Sequence, residues 1–168
     1  MHGPRSRVEM VSLLLALAPV CARAQQTVRD TVAPPIELRL DVIDPRSRTS
    51  GTLQGGVGVN LPLGYYVRLE LVGAAGVTRR DSINASSGRV DALSLFLLDP
   101  FGESPWGLSI GGGMSVQFAT GARTHEYLVV VTDLEGPPIG PVVPAIQLGL
   151  GGGLRAGLIL RGYHSGRR

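Results

Sequence analysis

Trp106 to Phe118 reads WGLSIGGGMSVQF, and this stretch decides the fold. Trp106, Leu108, Ile110, Met114, Val116 and Phe118 share one parity, and Gly107, Ser109, Gly111, Gly113, Ser115 and Gln117 share the other. A period of two belongs to a β-strand, whose successive side chains point to opposite faces. One face of this strand is large and apolar, and the other is small or polar.

The same alternation extends in both directions. Upstream, Ile36, Leu38, Leu40 and Val42 oppose Glu37, Arg39 and Asp41. Leu53, Val57, Val59, Leu61 and Leu63 oppose Gln54, Gly56, Gly58 and Asn60, and Leu63-Gly64 reads as a tight turn. Val67, Leu69, Leu71, Ala75 and Val77 oppose Arg68, Glu70, Ala74 and Thr78. Residues 89–98 are nearly apolar on both parities, which leaves their facing open. Downstream, 126–134 is a Val-rich strand. The last segment sets Ile146, Leu148, Leu150, Leu154, Ala156, Leu158 and Leu160 against Gln147, Gly149, Arg155, Gly157, Ile159 and Arg161. It is either one long strand or a hairpin turned at Gly151-Gly152-Gly153; the hairpin is favoured and makes the total about eight. The polar stretches 44–51, 79–88, 99–105 and 119–125 are expected as loops. Four prolines in 135–144 argue against a central strand there.

At 168 residues the chain is one domain by length. Mean hydropathy is +0.20, yet no stretch beyond the N-terminus approaches the roughly 20 apolar residues of a spanning helix. The apolar content therefore sits in strands, and the expected class is all-β, an antiparallel up-and-down barrel. In a soluble sandwich the face opposite the apolar stripe carries bulky polar groups. Here that face is often Gly, Ser or Ala, and its charges are of both signs: Glu37, Arg39, Asp41, Arg68, Glu70, Arg155 and Arg161. Small residues and balanced charge suit a crowded interior. The economical arrangement is inside out, with these seven residues as a structural charge network in the lumen and the apolar stripes facing lipid. Arg68 is expected to pair with an acid of the first strand, Glu37 or Asp41.

Residues 1–24 have the order of a secretory signal peptide: Arg5 and Arg7, a short apolar core from Val11 to Val20, then Ala22-Arg23-Ala24 as a small-x-small cleavage pattern. A lead-in of 25–35, a barrel domain of 36–164 and a basic tail of 165–168 complete the expected organisation. Cys21 lies in the leader, so the exported part has no thiol. Every one of the 16 Lys+Arg residues is Arg, and removing Arg5, Arg7, Arg23 and Glu9 leaves a net charge of about +1. That balance gives no basic stripe for nucleic acid.

Segments such as GGVGVNLPLGYYVRLELVGAAG and PAIQLGLGGGLRAGLILRG, behind a signal peptide, resemble the family of small, roughly eight-stranded bacterial outer-membrane β-barrel proteins. The resemblance covers Ile36 to about His164. It implies a cell-envelope protein of a Gram-negative bacterium, resident in outer-membrane lipid and placed there by the barrel-assembly machinery, with long outer loops and short periplasmic turns. Aromatic residues are 5% of the chain, and it ends His164-Ser165-Gly166-Arg167-Arg168, where that family usually places an aromatic. The alternative is a soluble exported barrel, periplasmic or secreted, that binds a small apolar ligand.

No residue pattern points to catalysis, a cofactor or a metal. Gly111-Gly112-Gly113 and Gly151-Gly152-Gly153 lack the following helix of a phosphate loop. His164 and Ser165 resemble the pair of outer-membrane lipid A deacylases, but adjacent residues of a strand face opposite ways and no acid follows them. His125 and Glu126 are too few for a metal site. The expected role is structural or interactive. The leader reading predicts a mature chain that starts at Gln25. Intact mass of the exported protein checks this, and lipid on Cys21 or an uncut leader in the envelope would refute it.

Overall fold

A computed structural model describes residues 36–44, 50–80, 83–99 and 104–162. The leader, the lead-in and the tail from 163 onward lie outside the described residues. Eight strands follow in order: β1 (Ile36–Asp44), β2 (Ser50–Pro62), β3 (Val67–Arg80), β4 (Ile83–Leu97), β5 (Gly107–Ala119), β6 (His125–Glu135), β7 (Val142–Leu150) and β8 (Leu154–Gly162). Each pairs antiparallel with the next, and β8 pairs with β1 to close the barrel.

Closure has a definite stagger. From Leu38, partners run through Val57, Gly73, Val90 and Val116 to Glu126 on β6. The other way round, Leu38 leads through Leu160 and Pro144 to the level of Gly136, whose N–H donates to the Pro144 carbonyl. The two paths end ten residues apart along β6 and its end. With eight strands this shear tilts them by about 40° and leaves an interior just wide enough for side chains.

The alternation has the expected sense, apolar out and polar in. Ile36, Leu38, Leu40 and Val42 are exposed, while Glu37, Arg39 and Asp41 are buried. The open parity of β4 resolves with Arg89, Asp91, Leu93 and Leu95 inward and Val90 and Phe96 outward. The opposite parity would turn two charges to the outside, whereas the observed one turns out only the Ser94 hydroxyl. Leu93 and Leu95 meet Val129 and Val131 of β6 in the one apolar cluster of the described interior.

Three expectations are corrected. Residues 79–88 are not a loop: β3 runs to Arg80, which pairs with Ile83 of β4. Polar residues extend these strands because pairing there needs backbone partners and no apolar face. At the end away from the termini of the barrel, Ile36 and Gly162, β3 and β4 therefore project as paired strands rather than as a long loop. The connection after β6 is also shorter than 135–144, since Val142 to Pro144 belong to β7. Pro144 is tolerated because its carbonyl and ring nitrogen face Gly136, just past the end of β6, so the donor it lacks is missed only at the end of that ladder. Finally, the turn after β2 occupies residues 63–66, with Gly64 at φ 95°.

The β7–β8 hairpin turns at Gly151, Gly152 and Gly153, with φ of 151°, 70° and 145°. Side chains rarely adopt such values. A Cβ at Gly151 would also meet the Leu128 carbonyl and the Val129 side chain. Gly151→Ala should cost about 1–3 kcal/mol, read as a lower urea midpoint. Gly55→Ala, on the outer face with open space around it, should leave the midpoint unchanged.

Candidate functional site: the charged barrel interior

The site begins with β1, whose inward residues alternate in charge: Glu37, Arg39, Asp41. Each faces a glycine on a neighbouring strand, and for Glu37 and Asp41 that glycine leaves the space the carboxylate occupies. Glu37 lies opposite Gly58 of β2, Arg39 opposite Gly56, and Asp41 opposite Gly157 of β8. A Cβ on Gly58 would stand 2.7 Å from Glu37 Oε1, and one on Gly157 would strike Asp41 Oδ1. The small-residue parity of the sequence is thus the space that the charges fill.

Around these residues the network closes. Arg161 of β8 is its hub. Its Nε donates to Glu37 Oε2 at 3.0 Å, Nη1 to Glu135 Oε1 at 2.6 Å, and Nη2 to Glu70 Oε2 at 3.3 Å and to Asp133 Oδ2. Arg68 donates to Glu135 at 2.6 Å and to Asp133 at 3.2 Å. Arg39 holds Asp41 at 2.8 Å, Glu70 at 2.7 Å and Glu37 at 3.3 Å, and also donates to Gln147 Oε1. Asn60 Nδ2 donates to Glu37 at 2.8 Å. Further from the termini, Arg89 donates to Asp41 at 2.6 Å and Arg155 donates to Asp91.

All seven residues that the sequence proposed for the lumen face inward and take part in ion pairs. The structure adds Arg89, Asp91, Asp133 and Glu135, which sequence reasoning did not select. The middles of their strands are apolar on both parities, so no stripe marked the inner face. The available signal was the parity of the charges themselves, Arg89 with Asp91 and Asp133 with Glu135. The expected partner of Arg68 is corrected: it pairs with Asp133 and Glu135 of β6, not with an acid of β1. Partners across the lumen follow from barrel curvature, which strand order alone does not convey.

The remaining candidates are scattered. Gly111-Gly112-Gly113 lies within β5, where Cβ atoms at these positions would collide with backbone carbonyls of β4 and β6. His125 is exposed and its ring stacks on Tyr127, with centroids 6.1 Å apart. Among the described residues no group of His, Cys, Asp or Glu is placed to hold a metal. His164 and Ser165 lie outside them. No protein-family model matches the chain, and no curated protein matches it either.

What this interior does physically is neutralise and fill. Desolvating a charge costs several kcal/mol, and pairing offsets this only with good geometry. The consequence is a strong penalty for removing one partner. Arg161→Ala would take one cation from four buried carboxylates, leaving only Arg39 and Arg68 to face them, and should cost about 3–5 kcal/mol. Arg68→Ala, nearer the mouth with its side chain 12% exposed, should cost about 2 kcal/mol, and adding Glu135→Gln should recover part of it. Urea titrations of single and double mutants measure both. A wild-type midpoint for Arg161→Ala would mean that the interior is solvated.

Proposed function

We propose that this chain is a Gram-negative outer-membrane protein that spans the bilayer as a closed eight-stranded barrel, with a structural or interaction role and no catalysis. One observation carries the reading. The outward residues of the described strands form an apolar belt unbroken by charge, while the charges at that level lie inside. From Val67 to Val77 on β3, or Leu108 to Phe118 on β5, ten steps of about 3.3 Å at a tilt of about 40° span about 25 Å along the axis. That is the height of the lipid-facing band of outer-membrane barrels, about 25 Å. Charged outward residues such as Asp44, Arg79 and Glu126 mark its edge at the end away from the termini, Glu126 opposite Val116 of β5. A belt of this extent in water would be an aggregation liability.

The aromatic residues support the same reading. Tyr65, Tyr66, Phe96 and Trp106 are exposed at the end that carries the termini, and Tyr66 stacks on Phe96 with centroids 5.8 Å apart. Phe118 is exposed towards the other end. Few in number, they are nonetheless concentrated where amphipathic rings meet a membrane interface. In the soluble alternative, an apolar ligand would have to displace a network of ion pairs.

Fractionation of the native cells tests the proposal: the protein should pellet with outer membrane and resist carbonate washing, and recovery in the periplasm would sink it. A fluorophore at position 110 should be quenched from the lipid phase and not from water. Ile110→Arg should cost about 2–4 kcal/mol in lipid, as at other mid-bilayer sites.

A further inference from the structure

The charges of the interior are unevenly divided along the barrel. Towards the termini, Glu37, Glu70, Asp133 and Glu135 gather around Arg161 and Arg68. Towards the other end, Asp41 is shared by Arg39 and Arg89, and one oxygen of Asp91 is shared by Arg89 and Arg155. Two carboxylates there meet three guanidiniums, of which Arg39 also pairs with Glu37 and Glu70. The two imbalances differ in kind. An acid-rich cluster can shed charge by taking up a proton, but a guanidinium keeps its charge.

The same region holds a set of buried donors without partners: Arg89 Nη1, Arg155 Nη1, Ser115 Oγ and Gln117 Nε2. Arg89 and Arg155 are 1% and 3% exposed. The four donors belong together. Arg89 Nε, 2.9 Å from Asp91 Oδ2 but not aligned as a hydrogen bond, and Arg155 Nη2 approach the same oxygen, which brings the two cations side by side. Ser115 is the cross-strand partner of Asp91, and Gln117 that of Arg89. Gln117 is the outermost of the four. It lies under the β7–β8 turn, with Nε2 3.1 Å from where a Cβ of Gly152 would stand. Unpaired buried donors on neighbouring cations are costly, and one acceptor of negative charge would satisfy several at once.

We propose that the half of the barrel away from the termini binds a small monovalent anion of the size of chloride, held between Arg89 and Arg155 by their free Nη1 groups, with Ser115 Oγ and Gln117 Nε2 completing its shell. Asp91 Oδ1 and Gln54 Oε1, unpaired acceptors in the same region, repel charge and select against a multiply charged oxyanion. A tightly filled interior selects against a large one. The site lies wholly inside the barrel and stands whether or not the barrel sits in a membrane.

The test compares urea unfolding of the folded protein in sodium chloride and in sodium gluconate at constant ionic strength and pH. A ligand that binds only the folded state raises stability by mass action. The wild-type midpoint should rise saturably with chloride and not with gluconate. Ser115→Ala leaves every ion pair in place and should need about tenfold more chloride for the same rise, the worth of one hydrogen bond to a charged group. Arg155→Gln should abolish the response. Crystals grown in sodium bromide should show an anomalous peak between the two guanidiniums. Equal wild-type midpoints in the two salts would overturn the proposal, as would a Ser115→Ala response equal to wild type, whether or not Arg155→Gln folds.

Discussion

Everything in this structure depends on the seam between β1 and β8. Without it the sheet has two open edges, and an apolar outer face would be joined to unpaired backbone groups. The seam is specified by side chains as well as by the ladder. Glu37 is both the register partner of Arg161 and its ion-pair partner, at 3.0 Å. Four residues along, Asp41 faces Gly157, whose lack of a Cβ admits the carboxylate. A slip of one residue would move both charges to the outer face. The first and last strands of the chain thus carry complementary features that become legible only when they meet.

From that seam the rest of the interior follows. Arg161 reaches from β8 to acids of β1, β3 and β6, and Arg39 reaches from β1 to β3 and β7. These contacts span the lumen rather than joining neighbours, so they brace the cross-section against flattening. Between the charged levels of β4 and β6, Leu93, Leu95, Val129 and Val131 pack together as an apolar cluster. Buried ion pairs are weak evidence for stability, since desolvation offsets much of the attraction. Their worth here is specificity: each requires its partner in one register, and the alternatives leave a charge alone.

The outer and inner surfaces divide the labour. The outside is nearly featureless, a belt of Leu, Ile and Val edged by a few aromatic rings. Among the described residues the paired charge lies inside, in six carboxylates and five guanidiniums distributed unevenly from one end to the other. A barrel of this shear has no room for an open pore, so that unevenness is available to small ions and to the fold itself rather than to large solutes.

The sequence by itself determined the strands and their sense. Period two is a local property, legible in WGLSIGGGMSVQF as in IELRLDVID, and the pairing of Gly with charge on one parity already implied an inside. The same signal placed Glu37, Arg39, Asp41, Arg68, Glu70, Arg155 and Arg161 in that inside. It failed where both parities are nearly apolar, at β4 and β6, and so missed Arg89, Asp91, Asp133 and Glu135. It misjudged 79–88 and Pro144 because polar or proline-bearing segments can still pair when their neighbours supply the geometry. Only the tertiary structure decided which charge meets which. Arg68 lies on β3 and its acids on β6, three strands away. They meet because ten residues of shear and eight strands curl the sheet until side chains from separate walls share one axis, and no run of sequence contains that curvature.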